Sequence, residues 1–193
     1  MRIMNEAFES VSDEALMEQM CRGSRQALAA LVERHHPPLM GYLYRLTNGQ
    51  RELAEDLAQE TFLKILQSAA LYARGRPFKP WLYTIATNRA RDHFRRLETR
   101  KTDDWSDWIE ERPGQIDLEP EAAFLTRENQ GRAAAAVQQL SPPLRAALIL
   151  RFYNDLSLEE IAQALDLPLG TVKSRLSNAV RQLQRILAEP QEV

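Results

Sequence analysis

Hydrogen-bond donors gather on one face of a predicted helix near the C-terminal end of this 193-residue chain. At 100° per residue, Val172, Leu176 and Val180 share an apolar stripe, while the opposite side and the flanks carry donors and no acid. Donors suit phosphate oxygens and the acceptor edges of guanine and adenine, and the first turns of such a helix would lie nearest the bases. The residues predicted to contact nucleic acid are Lys173, Ser174, Arg175, Ser177, Asn178 and, toward phosphate, Arg181.

The residues just before this helix have the pattern of a helix-turn-helix motif. Ser157, followed three residues later by Glu160, forms a capping box and predicts a helix start. That short amphipathic helix should end in the DLPLG run at 166–170, which also begins the next helix. Two short helices joined by a tight turn are typical of duplex-DNA readers. The motif favours DNA contact over an ordinary solvated face for the donor-rich helix.

A second set of polar residues follows one ridge of a predicted helix in the N-terminal half. Such a ridge can hold a nucleic-acid strand, with arginines at phosphates and the Asn88 amide at a base edge. Nearby aromatic residues can either stack on an unstacked base or pack in the core, and core packing is the expectation for Trp81 and Phe94. The ridge residues, spaced 4, 3 and 4 apart, are Thr84, Asn88, Arg91 and Arg95.

Charge is segregated along the chain. The net charge of −2 by itself disfavours a nucleic-acid partner. Residues 89–101, however, carry six basic groups against two acidic ones, a net charge of +4. Residues 102–131 carry nine acidic groups against two arginines, a net charge of −7. A basic patch beside an acidic segment is more informative than the total.

The hydrophobic pattern predicts an all-α protein made of two small helical domains. Helical periodicity dominates, without β-branched alternation or a hairpin signal. The pattern fails at about 101–120, where prolines, a glycine and many acids predict a flexible linker between domains at 12–100 and 121–188. Trp105 and Trp108 in this linker either dock locally on one domain or grip a partner. The predicted helices are 12–22, 24–47, 51–68, 78–98, 121–140, 143–153, 157–166 and 170–187.

The sequence offers no site for catalysis, a metal or a cofactor, so we expect a protein that is not an enzyme. The single cysteine, Cys21, and three scattered histidines form neither a disulfide framework nor a zinc pattern, and no nucleophile has a base nearby. No apolar run approaches the roughly 18 residues of a membrane span, and the N-terminus carries acids where a secretory signal would be apolar. We therefore expect a cytoplasmic protein without membrane insertion.

Three sequence blocks resemble those of the extracytoplasmic-function (ECF) sigma factors of bacterial RNA polymerase, a group of the sigma-70 family. The likeness runs from about Asp13 to Leu187, and the order and spacing of the blocks make it specific. It implies a first domain like sigma region 2 and a second domain like region 4, which carries the helix-turn-helix. The blocks are DLAQETF at 56–62, WLYTIATNRARD at 81–92 and GTVKSRL at 170–176.

The resemblance implies a transcription initiation factor whose partners are core RNA polymerase and promoter DNA. Asp56, Gln59 and Glu60 would contact the β′ clamp helices, although the residues alone would leave this helix face solvated. A flipped base of the minus-ten element would lie near Asn88, and the second domain would read the minus-thirty-five element as duplex.

Further partners follow from the same resemblance. The acidic linker would run through the polymerase near its active centre and RNA exit path, and the β subunit is a further expected partner. The charge of −7 suggests that the linker mimics nucleic acid in a basic channel. Many such sigma factors are held silent by an anti-sigma protein. The alternative is a polymerase-independent helix-turn-helix regulator, which would leave the face of Asp56 and the ridge of Asn88 without a purpose.

Overall fold

A computed structural model describes residue 8 and residues 10–72, 75–98 and 130–188. The described residues contain eight α-helices and a 3₁₀ turn at Ala69–Leu71, with no strand among them, so the all-α prediction is confirmed. The proposed linker with Trp105 and Trp108 lies outside the described residues. The helices are α1 (Asp13–Cys21), α2 (Arg25–Leu46), α3 (Arg51–Gln67), α4 (Phe78–Glu98), α5 (Gln130–Gln139), α6 (Pro142–Phe152), α7 (Leu158–Leu165) and α8 (Leu169–Ala188).

The helix ends follow local signals in the sequence. Ser12 and Ser24 cap α1 and α2 by accepting hydrogen bonds from the backbone N–H groups of Ala15 and Ala27, each at 3.2 Å. The prolines of the Ser141-Pro142-Pro143 run occupy the first turn of α6, where no N–H donor is needed. The observed ends lie within one residue of the predicted ones, except at the start of α5, because 121–129 is not described.

The first half of the chain packs α1, α3 and α4 around the long helix α2. Its centre is a pair of fully buried tyrosines, Tyr42 of α2 and Tyr83 of α4, with ring centroids 5.2 Å apart and the rings nearly perpendicular. The Tyr42 hydroxyl is 2.7 Å from the Thr87 hydroxyl, so its polar end is hydrogen-bonded within the same half. This packing fixes which side of α4 faces outward.

The second half packs α5, α6 and α7 against α8. Helix α6 is almost entirely apolar and lies between α8 and α2, so that it belongs to both halves of the core. Helix α4 in turn lies along α7. The buried apolar residues therefore form one continuous cluster across both halves.

Arg145 of α6 is the polar centre of this junction. Its side chain is only 3% exposed, and burial lowers the pKa of the guanidinium. Guanidinium has five N–H donors, and all five have an acceptor here. One donor on Nε, two on Nη1 and two on Nη2 reach the carbonyls of Val137 (3.1 Å), Leu46 (3.1 Å), Gln138 (2.5 Å) and Leu140 (2.7 Å) and the Asn48 amide oxygen.

We predict that Arg145→Met lowers the free energy of unfolding by roughly 3–5 kcal/mol, because buried carbonyls at the ends of α2 and α5 lose their donors. Arg145→Lys should cost less, since an ammonium keeps the charge but supplies three donors. Denaturant titration measures both, with the exposed Arg185→Met as control. A midpoint for Arg145→Met equal to that of the control would contradict the assignment.

Asp13, at the start of α1, ties that helix to α2. One carboxylate oxygen lies 2.8 Å from His35 Nε2, and the other accepts a hydrogen bond from Arg34. Burial alone would raise the pKa of Asp13, but the hydrogen bonds and charges of His35 and Arg34 together lower it below its ordinary value of 3.8. The folded state thus favours the ionised carboxylate.

Asp13→Asn should therefore reduce the free energy of unfolding by about 1–2 kcal/mol at neutral pH. Because the folded pKa is depressed, the stabilisation is complete above the ordinary value of 3.8 and is lost as the pH falls through the lower folded pKa. Urea titrations of both proteins from pH 7 to pH 3 should show the difference shrinking at the acid end. A difference that stays constant over this range would mean that Asp13 acts through packing.

Candidate nucleic-acid interface

The predicted ridge of α4 is divided between solvent and the second half of the chain. Asn88 and Arg95 are exposed, and Arg95 makes a loose ion pair with Asp92 at 3.5 Å. Thr84 and Arg91 are half-buried. The Thr84 hydroxyl lies 2.9 Å from the Pro80 carbonyl and 3.2 Å from the Gln163 carbonyl of α7. The ridge is thus half open to a nucleic-acid strand.

The aromatic residues near this ridge lie mostly in the core. Trp81 is buried against Tyr72 and Phe78, with ring centroids 4.9 and 6.1 Å away, so the expected core role of Trp81 is confirmed. Phe94 is partly buried and packs on the core. Tyr83 is fully buried. As these rings lie, they are not free to stack on a base near Asn88. A stacking partner would have to be another side chain at the edge of the ridge.

The helix-turn-helix is built as the capping box predicts. The Ser157 hydroxyl accepts from the Glu160 N–H at 3.1 Å, and the Glu160 carboxylate accepts from the Ser157 N–H at 2.8 Å. Helix α7 ends at Asp166, whose φ of 54° is left-handed, and the Leu167 N–H donates back to the Ala162 carbonyl at 2.9 Å. This tight turn delivers the chain directly into α8.

Helix α8 buries the apolar stripe predicted for it and, in addition, two of its donors. Val172, Leu176 and Val180 are buried, and Lys173 is exposed as expected. Ser174, Asn178 and Arg181 are half-buried, and the Ser174 hydroxyl donates to the Thr171 carbonyl at 2.9 Å. The buried donors are Arg175 and Ser177. The prediction that all these donors face solvent is therefore wrong for these two residues.

Arg175 is buried, and the charge of another cation acts on it. It is 7% exposed, and burial, with a smaller contribution from the charge of Arg91, lowers the pKa of its guanidinium. Within the described residues, no hydrogen bond or ion pair links Arg175 to an acceptor. The two donor ridges, α4 and α8, thus bring like charges together at the boundary between the halves.

A third surface lies on α3. Asp56, Gln59 and Glu60 are all exposed and occupy one face at helical spacing, as the sequence predicted. The same face continues into two large exposed apolar residues, Leu63 and Leu66, at 57% and 48% exposure. The sequence analysis did not identify these two leucines. Exposed apolar residues that continue a polar helix face are a signal for a partner-binding surface. The face therefore combines acids with an apolar end.

Sequence reasoning also missed the residues that join the two halves, Arg145 and Asn154. A lone arginine in the apolar run PPLRAALILRF was the available signal for Arg145. Asn154, in the turn after α6, resembles any turn asparagine in sequence. Among the described residues, no group of histidine, cysteine and acidic side chains could hold a metal ion, and no described helix is both long and apolar enough to span a bilayer.

Two family models match the two halves of the chain. Residues 31–100 match Sigma-70 region 2, and residues 130–183 match Sigma-70, region 4. The first match contains the α3 face and the α4 ridge, and the second contains α5 to α7 and most of α8.

Curated relatives match the chain over most of its length. The RNA polymerase sigma-H factor of Pseudomonas aeruginosa is 33% identical over 181 residues, which cover 91% of this chain and 93% of that protein. The ECF RNA polymerase sigma-E factor of Haemophilus influenzae is 30% identical, with coverage of 89% and 93%. Both halves and their order are therefore shared with these proteins.

Solved structures share the fold. CnrH, in complex with the cytosolic domain of CnrY, is similar with a TM-score of 0.65 at 24% identity, covering 91% of this chain and 96% of that one. The sigma factor RpoE of Bartonella quintana, in complex with the anti-sigma factor NepR, has a TM-score of 0.60 at 26% identity, with coverage of 81% and 93%. The arrangement of helices across both halves recurs in these chains.

Proposed function

Since the chain belongs to the ECF group of the sigma-70 family of RNA polymerase sigma factors, we propose that it directs core polymerase to promoters through two separate DNA contacts. The observation that carries this proposal is the presence of one donor ridge in each family-matched half, on α4 and on α8. Each ridge alone offers few contacts. Polymerase would hold both at a fixed separation, so that two weak sites act together.

The α4 ridge reads the minus-ten element as melted single strand in this proposal. Asn88 is exposed and offers both a donor and an acceptor, which is what a flipped base with a free Watson–Crick edge requires. Arg91, Arg95 and Thr84 lie along the same ridge and would contact the strand backbone. Unstacking costs a few kcal/mol, which these contacts must offset.

The α8 helix reads the minus-thirty-five element as duplex. Its first turns follow the tight turn at Asp166, which is the position from which a recognition helix enters the major groove. The base-facing residues would be Lys173, Ser174, Arg175, Ser177 and Asn178, with Arg181 toward phosphate. Arg175 is the candidate for guanine, because one guanidinium can donate two hydrogen bonds to that base.

The α3 face binds core polymerase in this proposal, at the β′ clamp helices. Its exposed acids attract a basic partner. Leu63 and Leu66 supply apolar area, whose burial against the partner adds to the binding affinity. We also propose an anti-sigma protein among the partners, because the related RpoE of B. quintana is in complex with one. The acidic segment at 101–120 would contact the polymerase channel.

For promoter reading, we expect Asn88→Ala to relax sequence preference at the minus-ten element only, and Arg175→Ala to weaken the minus-thirty-five element only. Each should lose about 1–3 kcal/mol of discrimination at its own element. Run-off transcription with core enzyme across a randomised promoter library measures both, and each variant is the control for the other. Equal losses at both elements for either variant would contradict the division of labour.

For polymerase binding, Glu60→Arg and Leu63→Asp should each weaken binding of core enzyme about tenfold or more, since one reverses the charge of the α3 face and the other places a charge in its apolar end. Glu33→Arg, an equal charge reversal at an exposed position of α2, is the matched control. Binding is measured by fluorescence anisotropy at two salt concentrations. Absence of any core binding by the unaltered chain would instead favour a polymerase-independent regulator.

A further inference from the structure

Gly170 is the second residue of α8, and the described part of the fold gives no reason for a glycine there. A Cβ added to it would meet no packing neighbour within 4 Å, and its φ lies outside the left-handed region that favours glycine. Glycine also weakens a helix relative to most other residues, because its backbone loses more freedom on folding. A side chain at this position would therefore be tolerated by the chain alone.

Four of the other described glycines have a reason within the chain itself. Gly41 lies against Arg45, whose Nη1 would be 3.0 Å from an added Cβ. Three more have φ values between 80° and 93°, which other residues rarely adopt. These three are Gly23, Gly49 and Gly75. Among the described glycines, only Gly131, the second residue of α5, shares with Gly170 both the open space around its Cβ and an ordinary φ.

The helix face that each begins distinguishes Gly170 from Gly131. At 100° per residue, the positions four and seven residues later share a face with each glycine. In α5 these positions carry Ala135 and Gln138. In α8 they carry proposed DNA contacts, and the same face continues to a third one at eleven residues. These three residues are Ser174, Ser177 and Arg181. Gly170 is thus an exposed position at the leading end of the face that is proposed to read DNA.

A bare Cα lets another molecule come closer to the helix backbone than any side chain would allow. The first turns of a recognition helix lie nearest the base edges in the major groove. A side chain at position 170 would hold this end of α8 away from the DNA by about 1.5 Å, the length of one carbon–carbon bond. Direct hydrogen bonds have lengths of about 2.7–3.2 Å, so a displacement of that size breaks them.

We propose that Gly170 sets the depth at which α8 enters the major groove, with the DNA surface against its Cα. This inference rests on the proposed function, which supplies the partner. Gly170 is a positioning residue, because it acts through the donors that follow it and not through a base contact of its own. A side chain here should weaken all the base contacts of α8 together, whereas Arg175→Ala removes only the contact of one residue.

Gly170→Leu and Gly131→Leu are matched variants for testing this role. Each adds the same strong helix former at the second position of a helix, at an exposed site with open space. We expect both to unfold at the same denaturant midpoint as the unaltered chain or at a higher one, since leucine also restricts the unfolded chain. A midpoint for Gly170→Leu well below that of Gly131→Leu would mean that the fold itself needs the glycine, and would overturn the inference.

Promoter reading by the full chain with core polymerase supplies the second readout. Run-off transcription across the randomised library gives the preference at each position of the two elements. Gly170→Leu should reduce that preference about tenfold at every minus-thirty-five position that the unaltered chain discriminates, and leave the minus-ten element unchanged. Gly170→Ala should reduce it less, at the same positions. Gly131→Leu should match the unaltered chain at both elements.

Two kinds of failure are distinguishable in this experiment. If the unaltered chain selects no promoter with core polymerase, the proposed function is refuted, and this inference with it. If the unaltered chain selects promoters and Gly170→Leu keeps its minus-thirty-five preference, or loses it at a single position, only the inference about Gly170 is overturned. An equal loss with Gly131→Leu would also overturn it, because the effect would then not depend on the DNA-reading face.

Discussion

The buried guanidinium of Arg145 is the interaction on which the arrangement of the molecule depends. A cation can lie in an apolar core only if its donors are satisfied, and here every N–H has a carbonyl or amide oxygen. Those acceptors sit at the ends of α2 and α5, where helical carbonyls lack intrahelical donors. One side chain therefore caps two helices from different halves of the chain and fixes their relative position.

A second buried arginine shows the opposite balance. Arg175 is nearly as buried as Arg145, yet the charge that acts on its pKa is that of another arginine, Arg91. The same desolvation that Arg145 offsets with five acceptors is left unbalanced at Arg175 within the described residues. The boundary between the halves thus contains one buried arginine whose donors are all satisfied and one whose charge is electrostatically unfavourable, on the helix proposed to read duplex DNA.

Much of the fold was predictable because local signals determine it. The capping box at Ser157 and the period of the apolar residues located the helix ends to within a residue, except at the start of α5. The ridge of α4 was predicted from the spacing of its polar residues, whereas the face of α3 was singled out by the family resemblance. How the halves pack was not predictable, since Asn154 and Arg145 act through residues 71 to 116 positions away. The burial of Arg175 follows from that packing and carries no local signature.

Helix α6 has a polar anchor near each of its ends. Arg145 lies in its first turn and Asn154 just beyond its last, nine residues along, or about 13 Å at 1.5 Å per residue. Two anchors at that distance fix an orientation, whereas one anchor fixes only a position. Asn154 anchors its end of α6 to α2 and α4 through the Pro38 carbonyl, the Tyr83 hydroxyl and the Lys79 ammonium. The angle of α6 against α2 is therefore set by polar contacts at both of its ends, in addition to the apolar packing between them.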